Sequence, residues 1–146
     1  MLDSVFSDPE HLMELLKNDY DKYRSFEVTS YQSLAAHELG HNAHICLAMK
    51  RRGFEYGKPI TREEAFVLKN QENTILNEIY DMCFPGWNKD YETVLKHSIA
   101  DFGTISVKPP QELIAQAFSK YYYGKKKSRI AKEMVEYYKR ELSQYV

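Results

Sequence analysis

The apolar side chains of this chain recur mostly at intervals of three and four residues, the spacing that places them on one face of an α-helix. The first such stretch follows Asp8, a candidate N-cap, and Pro9, a residue well suited to the first helical position. The pattern predicts six helices, over residues 8–26, from 30 or 33 to about 52, 61–83, 88–100, 111–123 and 128–144.

Residues that cap or interrupt helices set the predicted boundaries. Gly53 and Gly124 follow helical stretches, as glycine does where a helix ends in a left-handed residue. Thr61 is followed three positions later by Glu64, the spacing of a capping box at a helix start. Pro85 lies in the segment Phe-Pro-Gly, which interrupts the helical pattern.

Only one short segment has the composition of a β-strand. Residues 26–29, Phe-Glu-Val-Thr, alternate in polarity and include β-branched side chains. The expected fold class is therefore mainly α, α+β at most: a compact helical domain with a short strand or small sheet near residues 26–29. We expect residues 1–146 to form a single domain with an N-terminal helix (1–28), a core (29–123) and a basic C-terminal helix (124–146).

Composition is that of a globular protein. Apolar residues make up 43% and charged residues 28% of the 146 positions, and no run approaches the 18 apolar residues of a membrane span. Residues 1–14 lack the basic and apolar pattern of a signal peptide. Cys46 and Cys83 are too few for a disulfide scaffold, so we expect free thiols in a reducing cytoplasm and no membrane partner.

The net charge of −1 conceals a basic C-terminus, since residues 120–146 carry 8 basic and 3 acidic side chains. The run from Lys125 to Arg129 could meet nucleic acid or an acidic partner. It lacks interleaved aromatic residues and belongs to no recognisable nucleic-acid-binding module. A solvated helix start, with no nucleic-acid partner, is the favoured interpretation.

The sequence His37-Glu38-Leu39-Gly40-His41 carries the most specific chemistry in the chain. On a helix the two histidines lie one turn apart on one face, where their imidazoles can bind one divalent ion, usually zinc. Glu38 lies off that face, within reach of a water molecule on the metal, and is the candidate catalytic base. Gly40 suits a helix surface that another backbone or a substrate approaches closely. His44 shares the histidine face, and we expect it to pack or hydrogen-bond nearby rather than bind metal.

A catalytic zinc site needs a third protein ligand. Spacing alone does not choose among the downstream acids. Glu112 has the best setting, because it begins a helix whose inner face continues with Ala115 and Gln116. The candidate acids are Glu63, Glu64, Glu72, Glu78, Glu92 and Glu112.

The motif HELGH, followed by the distant segment PQELIAQAFSKYY, resembles the gluzincin-type zincin metallopeptidases. The nearest likeness is to the catalytic domain of anthrax lethal factor, the Pro-Pro endopeptidases and metallopeptidase-like domains of phage-head and conjugative-element proteins. In these, HExxH is followed by a Ser-x-Tyr-Gly segment and then Glu-x-x-Ala-Glu-Ala-Phe, which residues 112–118 match. The resemblance covers about residues 29–123. It implies a zincin-like fold, a bacterial or phage-encoded origin, zinc as cofactor, His37, His41 and Glu112 as ligands, and Glu38 as general base.

The chain departs from the family pattern at two positions. Gln116 stands where the family has a glutamate, and it can still hydrogen-bond a ligand histidine without adding negative charge. Phe102 corresponds best to the family's tyrosine, whose hydroxyl stabilises the oxyanion. His97 and Tyr121 are candidates to replace that donor, and Phe102 is expected to limit catalysis.

Two functions follow as expectations. The first is a zinc-dependent peptidase acting on a peptide or protein substrate, and an intact HELGH favours it because a scaffold alone does not require Glu38. The alternative is a non-catalytic, metal-stabilised interaction domain of a phage or mobile-element protein, which Phe102 favours. The peptidase is preferred; neither the substrate nor the oligomeric state is specified by the sequence.

Overall fold

The computed structural model of the protein describes residues 31–55, 57–84, 96, 110–124 and 127–145. Within these ranges the chain is mainly helical, which confirms the predicted mainly α class, and no strand is present there. None of the helices described there combines the length and apolar composition needed to cross a membrane. The predicted strand at 26–29 and the predicted helix at 8–26 lie outside the described residues. Of the predicted helix at 88–100, only residue 96 is described, and it is helical. The described helices are α1 (Tyr31–Arg52), α2 (Arg62–Cys83), α3 (Pro110–Tyr123) and α4 (Arg129–Ser143).

The helix boundaries follow from local capping interactions. The Thr61 hydroxyl accepts a hydrogen bond from the Glu64 backbone N–H at 3.1 Å, and the Glu64 carboxylate accepts one from the Thr61 N–H at 3.0 Å. This is the predicted capping box of α2. Gly53 ends α1 with a φ of 72°, a conformation that glycine adopts without steric cost. Ser128 caps α4 by accepting a hydrogen bond from the Ala131 N–H at 3.0 Å.

Helix α3 forms the centre of the described structure. It packs most extensively against α1 and also against α4, while α2 contacts both α1 and α4. Every residue from 113 to 120 is buried, so α3 is enclosed nearly all round rather than along one stripe. Fully buried members of the core include Leu47 from α1, Ile75 and Ile79 from α2, Leu113 and Ile114 from α3, and Met134 and Tyr138 from α4.

A polar network attaches the C-terminal end of α1 to α2 and α4. Arg51 pairs with Glu78 of α2 and donates to Glu141 of α4 at 3.0 Å. The same guanidinium donates to the Tyr137 hydroxyl at 3.1 Å, and that hydroxyl donates to Glu78 at 2.7 Å. Three helices therefore converge on one arginine, which fixes the direction of α1 as it leaves the core.

Candidate metal centre

His37 and His41 lie one turn apart on α1, and their Nε2 atoms point at the same place. Their ring centroids are 5.1 Å apart and the ring planes are nearly perpendicular, at 75°. The side chain of His37 is 8% exposed and that of His41 is 26% exposed. Solvent therefore reaches the His41 side chain but hardly reaches the His37 side chain.

Glu112, in the first turn of α3, completes the group. Its Oε2 lies 3.1 Å from His37 Nε2, and its Oε1 lies 3.0 Å from His41 Nε2. The carboxylate side chain is 23% exposed, like the neighbouring His41. One carboxylate thus faces two imidazole nitrogens across the interface between α1 and α3.

Gly40 allows α1 and α3 to approach closely enough for this arrangement. A Cβ placed on Gly40 would lie 2.7 Å from the Ala115 Cα, and 3.1 Å from both the Ile114 carbonyl oxygen and the Phe118 ring. Glycine is unfavourable within a helix by about 1 kcal/mol relative to alanine. The close packing that it permits sets Glu112, three residues before Ala115, against the two histidines.

The donor set fits a zinc ion. Zinc–nitrogen and zinc–oxygen bonds of about 2.0–2.2 Å in a tetrahedral arrangement place neighbouring ligand atoms roughly 3.3 Å apart. Each imidazole nitrogen faces a different oxygen of Glu112, at 3.1 and 3.0 Å, and one ligand atom from each of the three residues lies within 4.8 Å of the others. Two imidazole nitrogens and a carboxylate are also typical of catalytic zinc, which leaves a position for water.

Burial prepares His37 to act as a neutral ligand. It lowers the pKa of the His37 imidazole below its usual value, although the nearby charge of Glu112 opposes that effect. The neutral form is the one that coordinates metals, because its ring nitrogen keeps a free lone pair. A metal ion would therefore compete little with protons at His37 near neutral pH.

Glu38 is exposed to solvent. It precedes His41 by three residues, which places it about 60° from His41 around the helix axis. It cannot share the ligand face with His37, from which it is separated by about 100°. The carboxylate is thus next to the metal-binding group but is not part of it, as the catalytic-base prediction requires.

Gln116 lies one turn after Glu112 and is completely buried. Among the described residues, neither its amide nitrogen nor its carbonyl oxygen finds a hydrogen-bond partner. The structure therefore does not show the predicted hydrogen bond from Gln116 to a ligand histidine. A buried amide without a hydrogen-bond partner costs about 1–3 kcal/mol of stability.

Of the two proposed oxyanion donors, His97 and Tyr121, only Tyr121 lies within the described residues. Phe102 and His97 lie outside the described residues. Tyr121 is nine residues beyond Glu112, which corresponds to about 13 Å along α3 and about half a turn around it. Its ring contacts Tyr122 at a centroid distance of 4.8 Å and lies beneath the Lys139 ammonium. The structure therefore does not bring Tyr121 to the histidines.

Most of the alternative acids have other partners. Glu64 belongs to the α2 cap, and Glu78 pairs with Arg51 and Tyr137. Glu72 approaches a different histidine, with its Oε1 at 3.8 Å from His44 Nε2. Glu63 joins no described metal-binding group, and Glu92 lies outside the described residues. Among the six acids, only Glu112 is brought to His37 and His41 within the described structure.

His44 forms a separate buried cluster with Tyr138 and Glu72. Its Nδ1 lies 2.7 Å from the Tyr138 hydroxyl, and the side chain is only 2% exposed. Burial, followed by the charges of His41 and Lys69, lowers the pKa of His44 to about 4. Burial also raises the pKa values of Tyr138 and Glu72, so Tyr138 stays protonated and donates to the neutral imidazole. At pH 7 the approach of Glu72 is therefore not an ion pair.

This cluster predicts a loss of stability in mild acid. The neutral form of His44 is favoured in the folded protein, whereas its pKa returns to about 6.5 on unfolding. The stabilisation is complete above pH 6.5 and is lost as the pH falls through 6.5 towards 4. We expect His44 to account for about 2 kcal/mol of the decrease in unfolding free energy between pH 7 and pH 5.

Urea unfolding with a chelator present would measure this contribution in wild type and in His44→Gln. Both proteins carry the same other ionisable groups, so the difference between them reports the contribution of His44. The decrease between pH 7 and pH 5 should be about 2 kcal/mol smaller in the variant. An equal decrease in the two proteins would show that His44 is not the group responsible.

Comparison with known proteins adds no relative from which a function could be transferred. No protein-family model, no curated protein and no solved structure matches the chain. The chemistry of the site therefore rests on the arrangement of His37, Glu38, His41 and Glu112.

Proposed function

We propose that the protein is a zinc-dependent peptidase, with His37, His41 and Glu112 as metal ligands and Glu38 as general base. The observation that carries the proposal is the convergence of two imidazole nitrogens and one carboxylate, with oxygen–nitrogen distances of 3.0 and 3.1 Å, from helices α1 and α3. The resemblance of HELGH and of residues 112–118 to gluzincin-type zincins supports the same assignment.

Each residue has a separate task in this proposal. His37 and His41 hold the ion from the wall of α1, and Glu112 holds it from α3. When bound, zinc supplies a Lewis acid that lowers the pKa of water towards neutrality and polarises the substrate carbonyl. Glu38, exposed beside His41, accepts the proton of the attacking water and can return it to the leaving amine.

The exposure of the group is compatible with a peptide substrate. His41 and Glu112 are 26% and 23% exposed, so an extended chain can approach from their side without prior opening of the helices. The buried His37 lies behind them and shields the other side from water. For the oxyanion, His97 stays the candidate donor, and the effect of Phe102 stays a prediction.

One observation also favours the second candidate, a non-catalytic metal-stabilised domain. The proposed ligands join α1 and α3, the two helices with the most extensive contact in the described structure. A metal that binds only the folded state stabilises it in proportion to the logarithm of its affinity. Zinc-dependent stability alone therefore does not separate a peptidase from a scaffold, whereas the role of Glu38 does.

Metal content tests the ligand assignment. We expect about one zinc per chain in the wild type, because the described residues supply one three-ligand group. His41→Ala and Glu112→Ala should lose most of it, since each removes a ligand. Elemental analysis after dialysis against a weak chelator measures the content, and Glu136→Ala, at an exposed position on α4, is the control.

The peptidase assignment is tested with the same proteins. Incubation with a broad peptide library should yield products with the wild type and Glu136→Ala, and none with His41→Ala or after complete removal of zinc. Wild-type zinc content in Glu112→Ala would refute Glu112 as a ligand. Zinc binding without any cleavage would favour the metal-stabilised domain.

A further inference from the structure

An apolar pocket lies where α1 and α2 meet. Its volume is about 220 Å³, below the range of about 300–1,000 Å³ typical of small-molecule sites, so it has room for part of a ligand, such as one side chain. Five of its six lining residues are apolar. The lining consists of Ile45, Ala48, Ile60, Ala65, Leu68 and Glu72.

The pocket is aligned with the metal-binding group along α1. Ile45 and Ala48 are four and seven residues after His41, which places them on the His41 face at about 6 and 10 Å along the helix axis. Glu38 lies in line with Ile45, about two turns before it. One side of α1 therefore carries, in this order, the proposed base, a proposed ligand and the wall of the pocket.

The rim of the pocket presents apolar surface to water. Ile45 is 43% exposed and Ile60 is 42% exposed, although isoleucine is among the residue types most often buried in proteins. Ala48, at 1% exposure, lies beneath them. An apolar side chain that enters between the two isoleucines removes surface of both from water, which is favourable.

The polar lining of the pocket does not suit an acidic side chain. Glu72 is the one acid among the six residues, and its Oε1 lies 3.8 Å from the Nε2 of the buried His44. Burial raises the pKa of the Glu72 carboxyl, although the charge of Lys69 opposes that effect. None of the lining residues is basic, so the pocket has no group that would pair with a carboxylate.

We propose that this pocket binds an apolar side chain of a peptide that lies across the metal-binding group. An extended chain advances about 3.3 Å per residue, so the pocket is about two or three residues from the bond held at the metal. This inference rests on the proposed peptidase and defines its substrate class. The substrate is a peptide with leucine, isoleucine, methionine or phenylalanine at that distance from the cleaved bond.

The test is an NMR titration of the full-length, isotope-labelled Glu38→Gln protein with zinc added, so that peptides bind without turnover. The ligands are a blocked oligoalanine peptide and the same peptide with one leucine. We expect the leucine peptide to bind about tenfold more tightly, the lower end of what a small apolar difference contributes in a hydrophobic pocket. Methyl shifts should appear at Ile45, Ile60 and Leu68.

A filled pocket provides the matched variant. Ala65→Phe in the same background should remove the preference for leucine, because a ring at this exposed position of α2 can occupy the pocket. Ala35→Phe is the control, since it makes the same change at an exposed position of α1 about 120° away from His41 around the helix axis. It should retain the tenfold preference.

Cleavage by the wild type separates this inference from the peptidase assignment. Cleavage two or three residues from the leucine would support both. Cleavage without preference for leucine over alanine, or equal effects of Ala65→Phe and Ala35→Phe on binding, would overturn the pocket and leave the peptidase in place. Leucine-dependent binding without cleavage of any library peptide would refute the peptidase and retain the pocket. Preference for lysine over leucine, lost in Glu72→Gln, would overturn the apolar assignment.

Discussion

Glu38→Gln is expected to retain zinc and the fold while lowering peptide hydrolysis by about 10²–10⁴-fold, the usual contribution of a general base. Glutamine has nearly the same shape as glutamate but cannot accept the proton of the attacking water. Glu38 is exposed and is not among the residues that could hold a metal ion, so the replacement should leave His37, His41 and Glu112 in place. The measurement is the turnover of a peptide found to be cleaved by the wild type, together with zinc content and melting temperature.

A suitable control is Glu136→Gln, which makes the same chemical change at an exposed site on α4. Its turnover should equal that of the wild type. Loss of zinc from Glu38→Gln would indicate that Glu38 is a ligand. Unchanged turnover would remove Glu38 from the mechanism and, with it, the main argument for a peptidase over a metal-stabilised domain.

Gly40→Ala is expected to reduce zinc affinity by about 10–100-fold, the range seen when the support of a metal ligand is disturbed. The added Cβ would lie 2.7 Å from the Ala115 Cα, whereas ordinary contacts begin at 3.4 Å, so the α3 backbone has to move away from α1. Glu112 moves with it. Overpacking costs about 1–3 kcal/mol, and the better helix propensity of alanine offsets about 1 kcal/mol of that cost. The loss of zinc-binding free energy should therefore exceed the loss of unfolding free energy.

Gly53→Ala separates this effect from a general loss of stability. Gly53 has a φ of 72°, and a Cβ added there would have no other atom within 4 Å, so alanine is strained at this position without a clash. We expect a cost of about 1–2 kcal/mol and no change in zinc affinity. A competition titration with a chromogenic chelator and urea unfolding give both quantities for each protein. Equal zinc affinity in Gly40→Ala and wild type would show that the close approach of α1 and α3 does not position Glu112.

The described helices could be predicted from the sequence because their boundaries are set locally. Thr61 and Glu64 are three residues apart, and the hydrogen bonds between them involve nothing else. Gly53 likewise ends α1 through the backbone preference of a single residue. The short strand expected at residues 26–29 depends on a partner strand, which local pattern cannot supply.

The candidate site could be predicted only where spacing along a helix determines geometry. His37 and His41 share a face because they are four residues apart. The selection of Glu112 over Glu72 and Glu78 depends on how α1, α2 and α3 pack, since the latter two acids approach His44 and Arg51 in space. His44 and Tyr138 are 94 positions apart, and no local pattern signals that hydrogen bond.

The enclosure of α3 has a consequence for hydrogen exchange in the segment that follows Glu112. Helix amides exchange with solvent hydrogen only when the surrounding packing is broken, and residues 113–120 are covered by neighbouring elements on nearly every side. Exchange at these amides should therefore require unfolding of the core rather than a local fluctuation. Glu112 is anchored at the start of this slowly exchanging segment, whereas Glu38 projects from the exposed side of α1. The proposed ligand from α3 is therefore held at the edge of a rigid segment, whereas the proposed base can reorient without any opening of the core.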